Sequence, residues 1–292
     1  MTWRDERPAD RIIVALDCGG GEAIDLARRL SGRARWVKVG MTLYYAAGPQ
    51  IVSAMKSLGY RVFVDLKLHD IPHQVRLAAA ELARAGADLV TVHALGGPDM
   101  MRAAVEGAGS AASLESAAPP DSAASLESAA LSEPEPAAPP APAAPVAPAA
   151  PPDSAVPPEP AAGSAAPHDL QRPAVIAVTV LTSMDAASLA SIGIDVPPAS
   201  QVEKLATLAR ESTCDGIVCS PAEASLVRGV LGADALVVTP GVRPAGSELG
   251  DQKRVATPAE ALAAGASHLV IGRPITAAVD PVAAFDEIAA GL

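Results

Sequence analysis

Eight short apolar runs, each trailed by a stretch of helical periodicity, recur along this chain, and no other feature narrows its fold as far. The runs are Ile12–Leu16, Trp36–Val39, the segment opening at Arg61-Val-Phe-Val64, Asp88–Val92, Ala174–Val180, Gly216–Cys219, Ala235–Val238 and His268–Ile271. Their short length and β-branched content read as strands buried on both faces, as in a parallel sheet. Helices are predicted over Glu22–Leu30, Ile51–Leu58, Pro72–Ala85, Asp99–Gly107, Gln201–Glu211, Pro221–Val230, Pro258–Ala264 and Pro281–Ala290. Parallel neighbours need a crossover, and eight strand–helix units close into an α/β architecture, the (β/α)8 TIM barrel. A doubly wound open sheet is the competing architecture. Against it, Cys18-Gly19-Gly20-Gly21 only weakly imitates the Gly-x-Gly-x-x-Gly turn expected after its first strand. Half of the residues are hydrophobic but only 2% are aromatic, so Ala, Val, Leu and Ile must fill the core.

The alternation breaks once. Ser110-Ala-Ala-Ser-Leu-Glu-Ser-Ala-Ala118 recurs as Ser122–Ala130, a Pro/Ala tract then runs to Pro167, and more than half of the 28 prolines lie between Pro119 and Pro167. Such a segment cannot form ladders or bury enough apolar surface to offset its ordering entropy. Residues 110–171 therefore read as a disordered, partly polyproline-II insertion between the fourth helix and the fifth strand. Residues 1–109 and 172–292 are the two halves of one barrel. An inert expansion is favoured over a partner-binding arm on composition. The insertion also explains the charge: it holds eight acids and no Lys or Arg, leaving −3 of the net −11 for the barrel. No basic patch suggests nucleic acid.

Cys18, Cys214 and Cys219 lack metal-ligand spacing and read as buried thiols in a reducing compartment. The polar start has no signal-peptide apolar region, and no apolar run is long enough to span a bilayer. A soluble cytoplasmic protein without membrane contact is the expectation.

Polar residues gather at the strand ends, where barrels of this type carry their sites. Asp65 and Lys67 are two apart and would share one face of the third strand. Asp70 follows, just before Ile71-Pro72, where a proline suits the first turn of a helix. Reading the other ends adds Asp17, Lys38, His93, Thr182, Arg243 and Arg273. Singly, each has a structural explanation: an ion pair, a helix cap, a core histidine, a solvated charge. Jointly, a polar residue at nearly every strand end costs stability and suits a site. Ile271-Gly272-Arg273-Pro274 follows the eighth strand, where phosphates bind in this fold; Gly272 admits an anion to the backbone and Arg273 can fork two of its oxygens. Thr239-Pro-Gly-Val-Arg243-Pro could close over the same group, and Gly250-Asp-Gln252-Lys-Arg254 lies in a loop long enough to act as a lid.

Together, Ala15-Leu-Asp17, Lys38-Val-Gly40, Asp65-Leu-Lys67-Leu-His-Asp70-Ile-Pro, Leu181-Thr182-Ser183, Thr239–Pro244, Gly250-Asp-Gln252 and Ile271-Gly-Arg273-Pro-Ile-Thr276 resemble the orotidine 5'-phosphate decarboxylase family, in that family's order and on both flanks of the insertion. The resemblance implies a carboxy-lyase that converts orotidine 5'-monophosphate to UMP and CO2, the last step of de novo UMP synthesis. It implies a homodimer acting with no cofactor and no metal. By the same resemblance Lys67 is the proton donor, Asp65 lies near the departing carboxylate, Lys38 extends an alternating charge array, and Asp70 reaches into the partner subunit's site. Asp17 and Lys38 would meet the ribose, Thr182 and Ser183 the pyrimidine edge, and Arg243, Gln252, Gly272 and Arg273 the phosphate. Two other readings stay open. One is a metal-dependent sugar-phosphate lyase or synthase, which shares Asp-x-Lys-x-x-Asp but resembles a chain with an acidic ligand in place of Lys38. The other is a non-catalytic nucleotide-binding barrel whose insertion recruits partners.

Overall fold

The computed structural model describes residue 3 and residues 6–114, 172–244 and 256–292. The expected insertion from residue 115 to 171 and the expected lid residues Gly250, Asp251 and Gln252 lie outside the described residues. Eight strands form one closed parallel barrel in chain order: β1 (Ile12–Ala15), β2 (Trp36–Gly40), β3 (Arg61–Leu68), β4 (Leu89–His93), β5 (Ala174–Val178), β6 (Gly216–Val218), β7 (Leu236–Thr239) and β8 (His268–Ile271). β8 returns to pair with β1, in the register Ile13↔Val270.

Period-two alternation divides the apolar residues between two cores. Ile13, Trp36, Phe63, Leu89, Ile176 and Val238 form one buried cluster. Their neighbours Ile12, Val14, Val37, Val62, Val64 and Val90 join the helices in the other. In α1 (Gly20–Leu30) the buried residues Ala23, Leu26, Ala27 and Leu30 fall at helical spacing, so the stripe seats the helix on the sheet. Below the strands, Asp88, Asp215 and Ser267 stand immediately before β4, β6 and β8. Each accepts the backbone N–H of a residue in the preceding strand: Val62 at 2.7 Å, Val175 at 2.7 Å and Val237 at 2.8 Å. Lys56 grips Asp88 and the Arg172 guanidinium grips Asp215 with two bonds, which pins the chain where it re-enters the barrel.

Several elements differ from the sequence expectation. The helix predicted over Ile51–Leu58 is α3 (Gln50–Ser57); the unpredicted α2 (Met41–Ala47) precedes it, and the two are parted at Gly48, whose φ of 69° no helix continues. After α4 (Pro72–Arg84), α5 (Gly97–Leu114) runs past Gly107, the predicted end, into the first residues assigned to the insertion. Gly107 is there for packing rather than termination: a Cβ on it would lie 2.1 Å from the Arg76 carbonyl oxygen of α4. Beyond it come Gly109 and a run of Ala and Ser with no proline to end the helix, which continues to Leu114. The short helices α6 (Ala186–Ser191) and α10 (Arg273–Thr276) were not expected; both are below the length at which periodicity is readable. The remaining helices are α7 (Pro198–Glu211), α8 (Ala224–Leu231), α9 (Pro258–Ala263) and α11 (Pro281–Ala290). Among the described residues, no helix is long and apolar enough to cross a membrane.

Candidate active site

A cavity of about 600 Å³ opens at the C-terminal ends of the strands. Its floor is apolar, with Phe63, Val178, Val218 and Val270; its walls carry Asp17, Lys38, Asp65, Lys67, Thr182, Ser183, Arg243, Gly272 and Arg273. Nine residues singled out from the sequence are thus brought together from six strand ends.

Register accounts for the polar cluster. β2 pairs Lys38 with Ala15 of β1, two residues short of Asp17, and sets Gly40 beside Asp65 of β3. Lys38 is buried, and its Nζ donates to Asp17 Oδ1 at 3.0 Å while standing 3.7 Å from Asp65 Oδ2. Lys67 Nζ donates to Asp65 Oδ1 at 2.9 Å. Asp17, Lys38, Asp65 and Lys67 therefore alternate in sign, and each buried charge has an opposite neighbour, without which its burial would be costly. Gly40 makes room: a Cβ there would sit 3.0 Å from Lys38 Nζ and 3.2 Å from Asp17 Oδ1.

The Asp65–Lys67 pair does not arise as expected from two-residue strand periodicity. β3 pairs Val64 with Val90 and next Leu68 with Val92, so Asp65, Leu66 and Lys67 together oppose Thr91 alone. Within this bulge Lys67 has φ 51°, a left-handed conformation that costs a non-glycine residue about 1–3 kcal/mol. A bulge re-aims side chains next to sites, and here it turns the Lys67 ammonium back onto Asp65.

Two sequence candidates stand elsewhere. Asp70 is exposed and outside the cavity lining, its Oδ1 accepting the Ile71 N–H at 2.6 Å. His93, at the end of β4, stacks on His69 with ring centroids 5.2 Å apart and does not line the cavity. Burial, with smaller contributions from His69 and Lys67, lowers the His93 pKa from the usual imidazole value. Gln252 lies outside the described residues.

Sequence reasoning missed Thr91 and Gly40 as parts of the site and Cys219 as a lining residue. Gly40 carried a signal, a glycine closing a strand. Thr91 carried almost none, because threonine is an ordinary strand residue. None of the three cysteines is in a disulfide; Cys219 is buried and the others half-buried, and burial pushes the Cys214 thiol up to about 12. Among the described residues no group of three or more His, Cys, Asp or Glu side chains could hold a metal ion.

The arrangement can hold a lysine ammonium against a carboxylate beside an apolar cleft whose rim carries Arg243 and Arg273. That suits a small anionic substrate in which negative charge develops next to Lys67. Known proteins resemble this chain over nearly its whole length. Orotidine 5'-phosphate decarboxylase from Moorella thermoacetica is 43% identical over 286 residues, covering 96% of this chain and 91% of that protein. The protein of the same name from Cutibacterium acnes is 41% identical over 280 residues, 95% and 94% of the two chains. The solved structure of orotidine 5'-phosphate decarboxylase from Lactobacillus acidophilus superposes with a TM-score of 0.68 at 32% identity and covers 97% of both chains. A family model matches residues 10–288, and the chain belongs to the orotidine 5'-phosphate decarboxylase / HUMPS family.

Proposed function

We propose that this chain is a carboxy-lyase that converts orotidine 5'-monophosphate to UMP and CO2 in de novo pyrimidine synthesis, with no cofactor, as a cytoplasmic homodimer. The observation that carries the reading is the alternating Asp17–Lys38–Asp65–Lys67 array over an apolar cavity floor. In this reading the bond from C6 to the carboxylate breaks, CO2 leaves, and the electron pair stays on C6. The Lys67 ammonium stabilises that pair and then gives C6 a proton; solvent later restores the proton to Lys67. Asp65 lies beside the departing carboxylate and keeps Lys67 charged through its 2.9 Å bond. Asp17 and Lys38 hold the ribose, and Thr182 and Ser183 the pyrimidine edge. Arg243, Gln252, Gly272 and Arg273 take the phosphate, whose binding energy supports the reaction at the distant carbon.

Asp70 is assigned to the partner subunit's site. Its exposure supports this, as do the apolar side chains left open nearby in sequence, Ile71 at 62% and Leu77 at 44%. The metal-dependent sugar-phosphate reading is disfavoured by Lys38, whose ammonium stands 3.0 Å from Asp17 and 3.7 Å from Asp65, where it repels a divalent cation. The binding-module reading is disfavoured because a binder has no need of paired buried charges.

The test is loss of orotidine 5'-monophosphate absorbance with purified protein, with and without EDTA, alongside Lys67→Ala. Equal loss in both parent samples with UMP as product, and none with Lys67→Ala while UMP still binds, is the expected result. Activity abolished by EDTA would favour the metal-dependent reading, and near-normal turnover by Lys67→Ala would end the assignment of the proton donor.

A further inference from the structure

The bulge in β3 leaves a vacancy in the ladder that one side chain fills. Where Asp65, Leu66 and Lys67 face only Thr91, regular pairing of β3 with β4 lapses. The Lys67 N–H donates instead to Thr91 Oγ1 at 2.9 Å. The same hydroxyl donates its own proton to Asp65 Oδ1 at 3.0 Å, the oxygen that accepts from Lys67 Nζ at 2.9 Å. Thr91 is 1% exposed, so no water competes at this hydroxyl.

These bonds close a ring: Lys67 N–H to Thr91 Oγ1, Thr91 O–H to Asp65 Oδ1, and Lys67 Nζ back to that oxygen. From it, we infer that Thr91 is a positioning residue for decarboxylation. It holds Lys67 by its backbone in the left-handed conformation and Asp65 by its carboxylate. This inference rests on the proposed roles of those two residues.

The chemistry required at position 91 is narrow. One atom must both accept and donate, which a hydroxyl does and a hydrocarbon cannot. The side chain must also fit a buried strand, which favours the β-branched threonine over serine in packing but not in bonding. Without the hydroxyl, the Lys67 N–H is left without its bridge across the bulge, and nothing offsets the strained φ of 51°. Lys67 then relaxes, and its ammonium leaves its place beside the reacting carbon while the ribose and phosphate contacts on other strands persist. The loss therefore falls on kcat rather than on KM.

The experiment compares Thr91→Val, which keeps the shape, with Thr91→Ser, which keeps the hydroxyl. The readouts are kcat, KM, UMP affinity by calorimetry and the melting temperature, with the parent and Lys67→Ala as references. Thr91→Val is expected to lose about 10- to 100-fold in kcat, the range a misplacement of about 1 Å can cost, with KM and UMP affinity within about threefold of the parent. Thr91→Ser is expected to keep kcat within about threefold of the parent. If Thr91→Val does not fold, Thr91→Ala against Thr91→Ser isolates the hydroxyl at the same site. Thr91→Val with the parent's kcat, or Thr91→Ser impaired as badly as Thr91→Val, overturns the inference. Lys67→Ala with the parent's activity would overturn instead the reading on which it rests.

Discussion

At the scale of single residues, the site trades stability for geometry in some places and little in others. Lys67 stands at φ 51° and is tied to Asp65, so a change there alters strain, charge pairing and chemistry at once. Arg273 is different: it follows β8, is exposed, and lines the cavity from the short helix α10. Removing an exposed side chain away from the packed core changes stability by only about 0.5 kcal/mol. Arg273→Ala should therefore raise KM by about 10-fold or more while the melting temperature stays within the scatter of the parent, because a charge-assisted fork to a phosphate is lost. Steady-state kinetics and a thermal melt check this. An unchanged KM would remove Arg273 from the phosphate site. The candidates Asp17, Lys38, Asp65, Lys67 and Arg273 were readable because charged residues at strand ends are conspicuous against an apolar pattern. Thr91 was not, since its contribution depends on a bulge that no local pattern announces.

At the scale of elements, close approach and burial set the sensitivities. Gly107 lets α5 lie on α4 so tightly that a methyl group would meet the Arg76 carbonyl at 2.1 Å. Gly107→Ala gains helix propensity but must push two helices apart, and overpacking of this kind costs about 1–3 kcal/mol. Urea denaturation should show a lowered midpoint; an unchanged or higher one would mean that the helices slide freely. In β8, His268 is fully buried, its ring edge-on to Trp36, with Ser267 Oγ at 3.1 Å and Glu6 Oε2 at 3.3 Å. Burial lowers its pKa from the ordinary 6.5 against the opposing pull of Glu6, with Arg11 and Arg61 adding to the depression. The unfolded chain takes up this proton near 6.5 and the folded chain only at lower pH. Stability from this group is therefore present above 6.5 and lost as pH falls from there toward the lowered folded value. Melting temperature against pH from 7.5 to 4.5 should fall less steeply for His268→Gln than for the parent; parallel curves would contradict the assignment.

At the scale of the whole molecule, the interruption and the cavity attach to different points of the barrel's chain path. The described chain leaves from α5 at Leu114 and resumes at Arg172, two residues before β5. The interruption thus joins a helix's C-terminal end to a strand's N-terminal end, whereas the site is assembled at the strands' C-terminal ends. Deleting Glu115 to Ala166 spares α5 and leaves Arg172 able to grip Asp215 with both nitrogens. We expect kcat and KM within about twofold of the parent, since long surface connections alter stability only through a slowly varying closure entropy. A folded but inactive deletion, seen by circular dichroism beside the assay, would give the segment a part in catalysis.

The sequence alone determined the eight-fold strand–helix order, hence the parallel barrel. It also determined which end would carry the chemistry, because apolar runs and charged strand ends are local patterns that chain connectivity converts into topology. It could not determine that α5 continues past Gly107, since a glycine marks both a helix end and a close helix contact, and only the approaching Arg76 backbone distinguishes them. Nor could it determine how Asp65 meets Lys67. That depends on a register shift between β3 and β4 and on a hydroxyl supplied from the neighbouring strand, which are contacts between residues 24 to 26 positions apart. Such contacts exist only once the barrel has closed.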